Sequence, residues 1–344
     1  MSSGSVRQPL LSEGSYSELV REVRQQGLLR RRPRFYLLLG AVNLACLAAV
    51  VTGMVLLHDS WWIILLAPAF AFVSTQIAFF SHDAAHHQIA QGGRVSALLA
   101  LVHGDLLIGM SYGWWVAKHN AHHAHPNDLE TDPDVSVGAF VWDPDQAQER
   151  TGMAGWLTRH QAALFFPMLT LEAANLRVSS VQALVRPGLR FRKTEALLLL
   201  GHFALYIALL VTTMTWLQGL VFLAVHQALF GVYLGSAFAP AHKGMPPLTP
   251  EQTADPLLRQ VLTSRNVRGG PAVDYALGGL NLQIEHHLFP SMPRPNLRRA
   301  QPIIERHCRD RGITYTEANL VESYAIGLRH LRDVGSPLRD VSSG

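Results

Sequence analysis

The sequence predicts an all-α integral membrane protein with four transmembrane helices arranged as two hairpins. Three stretches of the 344-residue chain contain no Asp, Glu, Lys or Arg, although 16% of all residues are charged. They run from Tyr36 to Leu57, from Trp61 to Phe80 and from Ala196 to Ala241. A transmembrane helix needs about 20 apolar residues, so the third stretch accommodates two crossings with a turn near Gln218. Buried helices of soluble domains rarely run this long without a charge.

The charges predict the orientation of these spans. All 29 Lys and Arg residues lie outside the two hairpins, and positive residues stay on the cytoplasmic side of a membrane. We therefore expect both termini and the central segment to be cytoplasmic. The net charge of +4 reflects this topology and indicates no nucleic-acid partner, because the basic residues lack interleaved aromatic residues. The predicted spans are 36–57, 61–80, 196–216 and 218–240. The predicted domains are a cytosolic segment at 1–34, a membrane domain at 35–290 and a cytosolic tail at 291–344.

Most of the 17 histidines fall in the predicted cytosolic segments, where they form three tight groups. In the first group, HDAAH, His82 and His86 are one helical turn apart and can face the same metal ion. In the second, HNAHH, a helix places His119 on the same face as His122 and His123. Such groups, far apart in the chain, are typical of ligands that folding brings together.

The third group, QIEHH, ends with His286 and His287. Adjacent helical side chains diverge, so such a doublet reaches two neighbouring ions more easily than it chelates one. We therefore predict a cytosolic helical cap that holds a histidine-rich dimetal site. Imidazole ligands suit iron, zinc, copper or nickel. The nearby carboxylates of Asp83 and Glu285 are expected to orient the imidazoles through hydrogen bonds.

The three groups match the three histidine boxes of the membrane fatty acid desaturase family, which the chain resembles from the first span to beyond Pro290. The stretches GMSYGWWVAKHN and LTSRNVRGG resemble bacterial, particularly actinobacterial, acyl desaturases, and so indicate a bacterial cell membrane. The third box begins with Gln283 instead of His, as in front-end, linoleoyl-CoA-type desaturases. Gln283 then binds metal directly, holds a water ligand or only forms a hydrogen bond.

The resemblance implies two iron ions as cofactors and dioxygen as co-substrate. It also implies one ligand, His242, that spacing alone does not indicate, because the family has a histidine just after its last span. The implied metal ligands are His82, His86, His119, His122, His123, His242, His286 and His287. The residues expected to orient these ligands or merely to border them are Gln283, Asp83, Glu285, Asn281, His87, His125 and His103.

The activity that the resemblance implies is oxygen-dependent desaturation of an acyl chain, with formation of a cis double bond. The implied substrate is an acyl-CoA or acyl-lipid, in contact with membrane lipids. The sequence contains no His-Pro-Gly-Gly run, no iron–sulfur cysteine spacing and no dinucleotide-binding glycine motif. We therefore expect a ferredoxin or similar carrier, with its reductase, to supply electrons. The exposed basic residues of the C-terminal tail, such as Arg294, Arg298 and Arg299, form a solvated surface or receive an acidic carrier.

The apolar segments 95–110 and 162–171 suit helices at the membrane interface that wall a lipid chain. Tyr112, Trp114 and Trp115 line that channel or form an aromatic belt at the headgroups.

Two other functions are compatible with the same pattern. The first is a di-iron membrane hydroxylase acting on an acyl, alkane or carotenoid-like substrate. The second is a non-enzymatic membrane metal-binding protein, a transporter or sensor, which would need ionisable residues along a path through the membrane. The predicted spans offer only His202 and His226 for such a path, and with His58 in an outer turn we expect them to serve packing or helix–helix hydrogen bonding.

Overall fold

A computed structural model describes residues 14–340 as two compact units. The outermost parts of the two predicted cytosolic segments, 1–13 and 341–344, lie outside the described residues. The first unit, here called the span unit, comprises Arg31–Asn120 and His160–Phe238. The second, here called the terminal unit, comprises Ala121–Arg159 together with the described residues up to Arg30 and from Ala239 onwards.

Helices dominate both units. In chain order they are α1 (Ser15–Gln25), α2 (Pro33–Leu56), α3 (Leu66–Ala85), α4 (Gly93–Leu101), α5 (Tyr112–Ala124), α6 (Pro144–Gln148), α7 (Gly152–Arg159), α8 (Gln161–Leu169) and α9 (Glu172–Val185). They continue with α10 (Arg192–Thr213), α11 (Trp216–His242), α12 (Pro250–Ala254), α13 (Pro256–Leu262), α14 (Pro271–Ala276), α15 (Gln283–Leu288), α16 (Arg294–Asp310), α17 (Leu320–Val334) and α18 (Pro337–Asp340). A 3₁₀-helix at Trp61–Leu65 precedes α3, and a π-helical stretch at Val102–Leu107 follows α4.

Four helices of the described chain are long and apolar enough to cross a membrane, as predicted. A fifth candidate is α4 with its π-helical extension followed by α5, a pair that bends by 113°. The large apolar side chains on these helices are widely exposed, including Leu37, Leu56 and Val211, which are 74%, 78% and 70% exposed. Apolar surface on this scale is typical of a face that contacts lipid. The four candidate spans are Pro33–Leu56, Trp61–Ala85, Arg192–Thr213 and Trp216–His242.

The observed helices differ from the predicted spans by a few residues at their ends. The largest difference at a start is in α10, which begins at Arg192 instead of residue 196. Its first turn contains Glu195, which is fully buried and accepts a 2.5 Å hydrogen bond from the Ser111 hydroxyl. The predicted span begins after Glu195 because it is defined by the absence of charged residues. The helix itself includes Glu195, because a buried carboxylate is tolerated when it is hydrogen-bonded.

Polar contacts and small residues fix the packing of the span unit. The Asn43 amide of α2 donates to the Gln76 carbonyl of α3 at 3.3 Å. In α11, Gly231 lies so close to α8 and α9 that an added Cβ would overlap the Leu169 backbone oxygen and lie 3.0 Å from the Ala173 nitrogen. Small residues at such positions let helix backbones approach closely.

The terminal unit has a core formed by segments that are distant in the sequence. Leu19 and Val23 of α1 pack with Leu258 of α13 and Leu297 of α16. The Tyr16 hydroxyl donates to the Leu288 carbonyl at 2.7 Å, which connects α1 to α15. Two short parallel strands, β1 (Asn266–Val267) and β2 (Glu317–Ala318), join this unit's later segments. They are a small departure from the all-α prediction.

Candidate metal centre

Three predicted ligands meet in the span unit. His82 lies in the last turn of α3, His86 caps that helix, and α5 provides His119. The ring centroids are 4.6 Å apart for His82 and His86, 5.1 Å for His82 and His119, and 4.8 Å for His86 and His119. One ring nitrogen of each lies within 4.8 Å of the others. These three residues, the span-unit triad, can share one metal ion.

Neighbouring side chains orient the span-unit triad. His82 Nδ1 donates to Asp83 Oδ1 at 3.2 Å, and the Tyr36 hydroxyl donates to Asp83 Oδ2 at 3.1 Å. The Trp115 ring stacks on His119 with a centroid separation of 4.3 Å. Because a carboxylate only accepts, His82 carries its proton on Nδ1 and directs the Nε2 lone pair away from Asp83. Asp83 thus contacts the ring of His82, one of the predicted ligands.

Five predicted ligands meet in the terminal unit. His122, His242 and His287 have ring centroids 4.6–5.1 Å apart and ring nitrogens within 4.8 Å of one another. His123 stacks on His287 at 4.2 Å, and its ring centroid lies 4.8 Å from that of His286. We call these five residues the terminal-unit cluster. All but His123 are buried, with 6% exposure or less.

Two rings of the terminal-unit cluster are held through their Nδ1 atoms. His122 Nδ1 donates to Asp132 Oδ2 at 2.9 Å, and His242 Nδ1 donates to the Thr263 carbonyl at 3.0 Å. Burial favours a raised pKa for Asp132, but the hydrogen bond and charge interaction with His122 outweigh it and lower the pKa below its ordinary value. Asp132 is therefore an ionised acceptor, and both imidazoles carry the proton on Nδ1 and a lone pair on Nε2.

The His287 ring is held by α13. Its Nδ1 donates to Gln260 Oε1 at 2.9 Å, and the Gln260 amide donates to the His123 carbonyl at 2.8 Å. Asp255 begins α13 as an N-cap that accepts from the Leu257 amide at 2.8 Å, which sets the position of Gln260 one turn later. Burial, and secondarily the adjacent imidazoles, lower the pKa of His287 well below its ordinary value, so it is neutral.

The buried Nε2 of His287 has no hydrogen-bond partner among the described residues. An unsatisfied nitrogen in a buried site costs free energy unless something binds it. A neutral imidazole with a free lone pair, surrounded by others of the same kind, is the donor set that transition-metal ions prefer. The residues present therefore fit a metal ion.

The polar residues of the third box have different partners. Gln283 Nε2 donates to His242 Nε2 at 2.9 Å, so this amide competes for a predicted metal-binding atom. Both oxygens of Glu285 are occupied away from the imidazoles, by the Tyr315 hydroxyl at 2.6 Å and the Asn266 amide at 2.7 Å. Burial raises the pKa of Glu285 to about 7. Glu285 therefore anchors α15 within the unit and does not hydrogen-bond a histidine ring as predicted.

The remaining border residues lie outside both groups of histidines. Asn281 donates to Asp274 at 2.8 Å and supports the loop before α15. His87 is exposed and has a left-handed φ of 57°, which ends α3 just after His86. His125 is exposed at the end of α5, and His103 stacks on Phe80.

Of the three histidines predicted to serve packing or helix–helix hydrogen bonding, the two in the spans have contacts of the expected kind, whereas His58 does not. In the spans, His226 meets the Tyr206 hydroxyl at 2.7 Å, and His202 Nδ1 donates to the Leu106 carbonyl at 3.0 Å. His58 lies exposed in a turn beside Asp59.

The predicted channel and docking residues have mixed surroundings. Tyr112 packs near Phe191, Trp114 is half-buried, and Trp115 contacts the span-unit triad. Of the arginines expected to receive an electron carrier, Arg294 is buried, Arg298 pairs with Asp274, and Arg299 is exposed.

Sequence reasoning missed Asp132, Gln260, Thr263 and Asn266. The Asp-rich run DLETDPD just after the second box was a usable signal for Asp132, because metal-bound histidines usually donate to a carboxylate. Thr263 and Asn266 belong to the stretch LTSRNVRGG, which carries part of the family resemblance. Only folding brings Gln260 to His287.

Comparison with known proteins finds the same family that the three histidine groups resemble. The sequence profile described as fatty acid desaturase matches residues 59–319. The chain is 26% identical over 322 residues to the acyl-lipid (9-3)-desaturase of Physcomitrium patens, covering 90% of this chain and 60% of that protein. It is 25% identical over 349 residues to the Delta(6)-fatty-acid desaturase fat-3 of Caenorhabditis elegans, covering 97% and 78%. It is also 25% identical over 348 residues to the Delta(8)-fatty-acid desaturase 2 of Arabidopsis thaliana, covering 95% and 76%.

The chain thus spans about three fifths of the length of the first of these relatives. The profile nevertheless covers most of the chain, from the turn before the second span to the loop after β2. With the three boxes grouped as described, the resemblance noted from the sequence is confirmed: the chain belongs to the fatty acid desaturase family.

Proposed function

We propose that this protein is an oxygen-dependent fatty acyl desaturase that introduces a cis double bond into an acyl-CoA or acyl-lipid. The observation that carries the proposal is the grouping of eight histidines into the span-unit triad and the terminal-unit cluster. Family membership and the names of the relatives support the same activity.

The proposed cofactor is a pair of iron ions. The span-unit triad would hold one ion, and His122, His242 and His287 would hold the other. His123 and His286 are further proposed ligands. When bound, such ions supply the reduction of dioxygen that removal of hydrogen from an unactivated methylene requires, since no side chain is a strong enough oxidant. Dioxygen then takes two hydrogens from the acyl chain, and two electrons with two protons from a donor, to form two water molecules.

The part of the protein in this reaction is to bind and orient. Asp83, Asp132 and Gln260 hold imidazoles with their Nε2 atoms available, and burial keeps His287 neutral and able to bind metal. Fixed ligands would hold the reacting centre in one place, so that a single carbon–carbon bond of a bound acyl chain could be aligned with it.

We propose a membrane domain at 35–290, flanked by cytosolic segments at 1–34 and 291–344, with two helical hairpins and both histidine groups on the cytosolic side. The Asp59 amide donates to the Thr213 carbonyl at 3.1 Å, and the Gln218 amide donates to the Asp59 carbonyl at 3.0 Å. The turn after α2 therefore meets the turn between α10 and α11. Neither turn contains Lys or Arg, which favours the outer side of a bacterial cell membrane.

Electrons are proposed to come from a ferredoxin or similar carrier with its reductase. Of the three arginines considered for its docking, Arg294 is buried, Arg298 pairs with Asp274 and Arg299 is exposed, so the docking surface would involve other residues as well.

The test is expression in a host that supplies ferredoxin and ferredoxin reductase, followed by fatty acid methyl ester profiling with double-bond localisation. We expect a product that has lost two hydrogens, and iron bound to the purified protein. His287→Ala should abolish the product and reduce the iron content, whereas exposed His58→Ala should do neither. A product that has gained one oxygen would identify a hydroxylase, and a protein that binds no iron would refute the proposal.

A further inference from the structure

The loop that follows the second histidine box contains a residue with an unusual set of contacts. Asn127 has a left-handed φ of 61°, a conformation that Asn adopts more readily than most residues. Its backbone amide donates to Asp132 Oδ2 at 2.8 Å. Its side-chain amide donates to the His242 carbonyl at 3.2 Å and to the Thr263 carbonyl at 3.1 Å.

Two of these three acceptors also accept a hydrogen bond from a histidine ring of the terminal-unit cluster, and the third is the backbone of His242 itself. Asp132 Oδ2, which accepts from the Asn127 backbone, is the atom that accepts from His122 Nδ1 at 2.9 Å. The Thr263 carbonyl, which accepts from the Asn127 side chain, is the atom that accepts from His242 Nδ1 at 3.0 Å. Asn127 therefore touches both atoms that fix the protonation of two imidazoles.

The second carboxylate oxygen of Asp132 is also held in place. Asp132 Oδ1 accepts from the Asp134 amide at 2.8 Å, and the Asp132 side chain is buried. With these acceptors held in place, His122 and His242 keep the proton on Nδ1 and the lone pair on Nε2. If either acceptor moved, the imidazole that donates to it could adopt the other tautomer or rotate.

We propose that Asn127 is a positioning residue that holds His122 and His242 in the tautomer and orientation needed to bind one metal ion, acting through Asp132 and the Thr263 carbonyl. The proposal rests on the proposed function, because it assumes that these imidazoles bind metal. Partners of this kind typically contribute 10- to 100-fold in metal affinity. Asn127 itself does not touch the imidazole rings in any of these contacts.

The test is titration of the full-length, metal-free protein in detergent with Co²⁺, whose visible absorption reports nitrogen coordination. Asn127→Gly retains the backbone amide and tolerates the left-handed φ, so it removes only the side-chain contacts. Asp132→Asn removes the carboxylate at constant shape. We expect each variant to bind one equivalent of Co²⁺ about 10- to 100-fold more weakly, with an altered absorption spectrum for that equivalent.

The matched control is Asp128→Asn in the same loop, because the Asp128 carboxylate accepts its hydrogen bonds from Glu130 and Thr131. It should titrate like the wild type. The melting temperature of the metal-free protein separates a positioning role from a general loss of fold, and we expect that of Asn127→Gly to be unchanged.

Wild-type affinity and spectrum in Asn127→Gly would overturn the inference while leaving the proposed function intact. Failure of the wild type to bind Co²⁺ would overturn both.

Discussion

His287 donates through Nδ1 to Gln260 Oε1 across 2.9 Å, and this contact leaves the buried Nε2 as the nitrogen available to a metal ion. The same glutamine donates to the His123 carbonyl, so one side chain of α13 contacts two members of the terminal-unit cluster, His287 and His123. The position of a proposed ligand in this unit therefore depends on a residue outside the proposed ligand set.

Replacing Gln260 should weaken metal binding without abolishing it. In Gln260→Ala, His287 loses the acceptor that fixes its tautomer, and we expect a 10- to 100-fold lower metal affinity. Metal content after dialysis against a graded series of chelator concentrations measures the change. Exposed Gln25→Ala is the control, and equal metal retention in Gln260→Ala and the wild type would contradict the assigned role.

The contact between Gln283 and His242 leads to a second prediction. The Gln283 amide donates to His242 Nε2 at 2.9 Å, so metal binding at that nitrogen must displace it. Gln283→Glu has the same shape, lacks the competing N–H and offers an anionic oxygen, so we expect tighter binding of divalent metal. Gln283→Leu offers no oxygen and should bind more weakly than Gln283→Glu. Competitive titration of the two variants with Zn²⁺ measures the order, and either equal affinities or the reverse order would contradict the prediction.

Removal of metal should lower the stability of the whole protein. A ligand present at 100 times its dissociation constant stabilises the folded state by about 2.7 kcal/mol. We expect chelator to lower the melting temperature of the wild type in detergent, and Zn²⁺ or Fe²⁺ to restore it. His287→Ala should show a smaller response to the metal, whereas His58→Ala should respond like the wild type. A melting temperature that is the same with and without metal would count against a bound ion.

The close approach at Gly231 gives a prediction about packing in the span unit. A methyl group there would meet the Leu169 oxygen and the Ala173 nitrogen, both backbone atoms that cannot rotate away. We expect Gly231→Ala to destabilise the protein by about 1–3 kcal/mol, as is usual for overpacking. Thermal inactivation in detergent measures the loss.

Gly219 of the same helix provides the matched control, since its added Cβ would lie 4.0 Å from Leu210. Gly219→Ala should be neutral or stabilising by up to about 1 kcal/mol, because alanine favours helix more than glycine does. Equal stability of the two variants would show that α11 can move away from α8 and α9.

The four apolar helices were predictable because long uncharged stretches are a local property of the sequence. Their ends were less so. The start of α10 at Arg192 depends on the burial of Glu195 beside Ser111, a contact between residues 84 positions apart. The bend between α4 and α5 and the two short strands likewise have no local signal.

The histidine groups were predictable for a similar reason, since His82 and His86 share a helix face through their spacing alone. The family resemblance was needed for His242. The residues that orient the rings were largely invisible, because Gln260 and Thr263 reach the histidines only through the tertiary fold. Glu285 shows the opposite case. Its proximity in sequence to His286 and His287 suggested a contact with an imidazole, but its carboxylate accepts from Asn266 and Tyr315.

The terminal unit is assembled from three pieces of chain that are synthesised far apart in time. The Tyr16 hydroxyl, near the start of the chain, donates a hydrogen bond to the Leu288 carbonyl. The histidines of the unit come from the middle and the end of the chain. All four apolar helices are therefore synthesised before the last segments of this unit. Until then, α1 lacks the later helices against which it packs. Shortening the N-terminus through α1 would consequently expose the packing face of α15 and α16, so expression tags belong ahead of that helix and never in place of it.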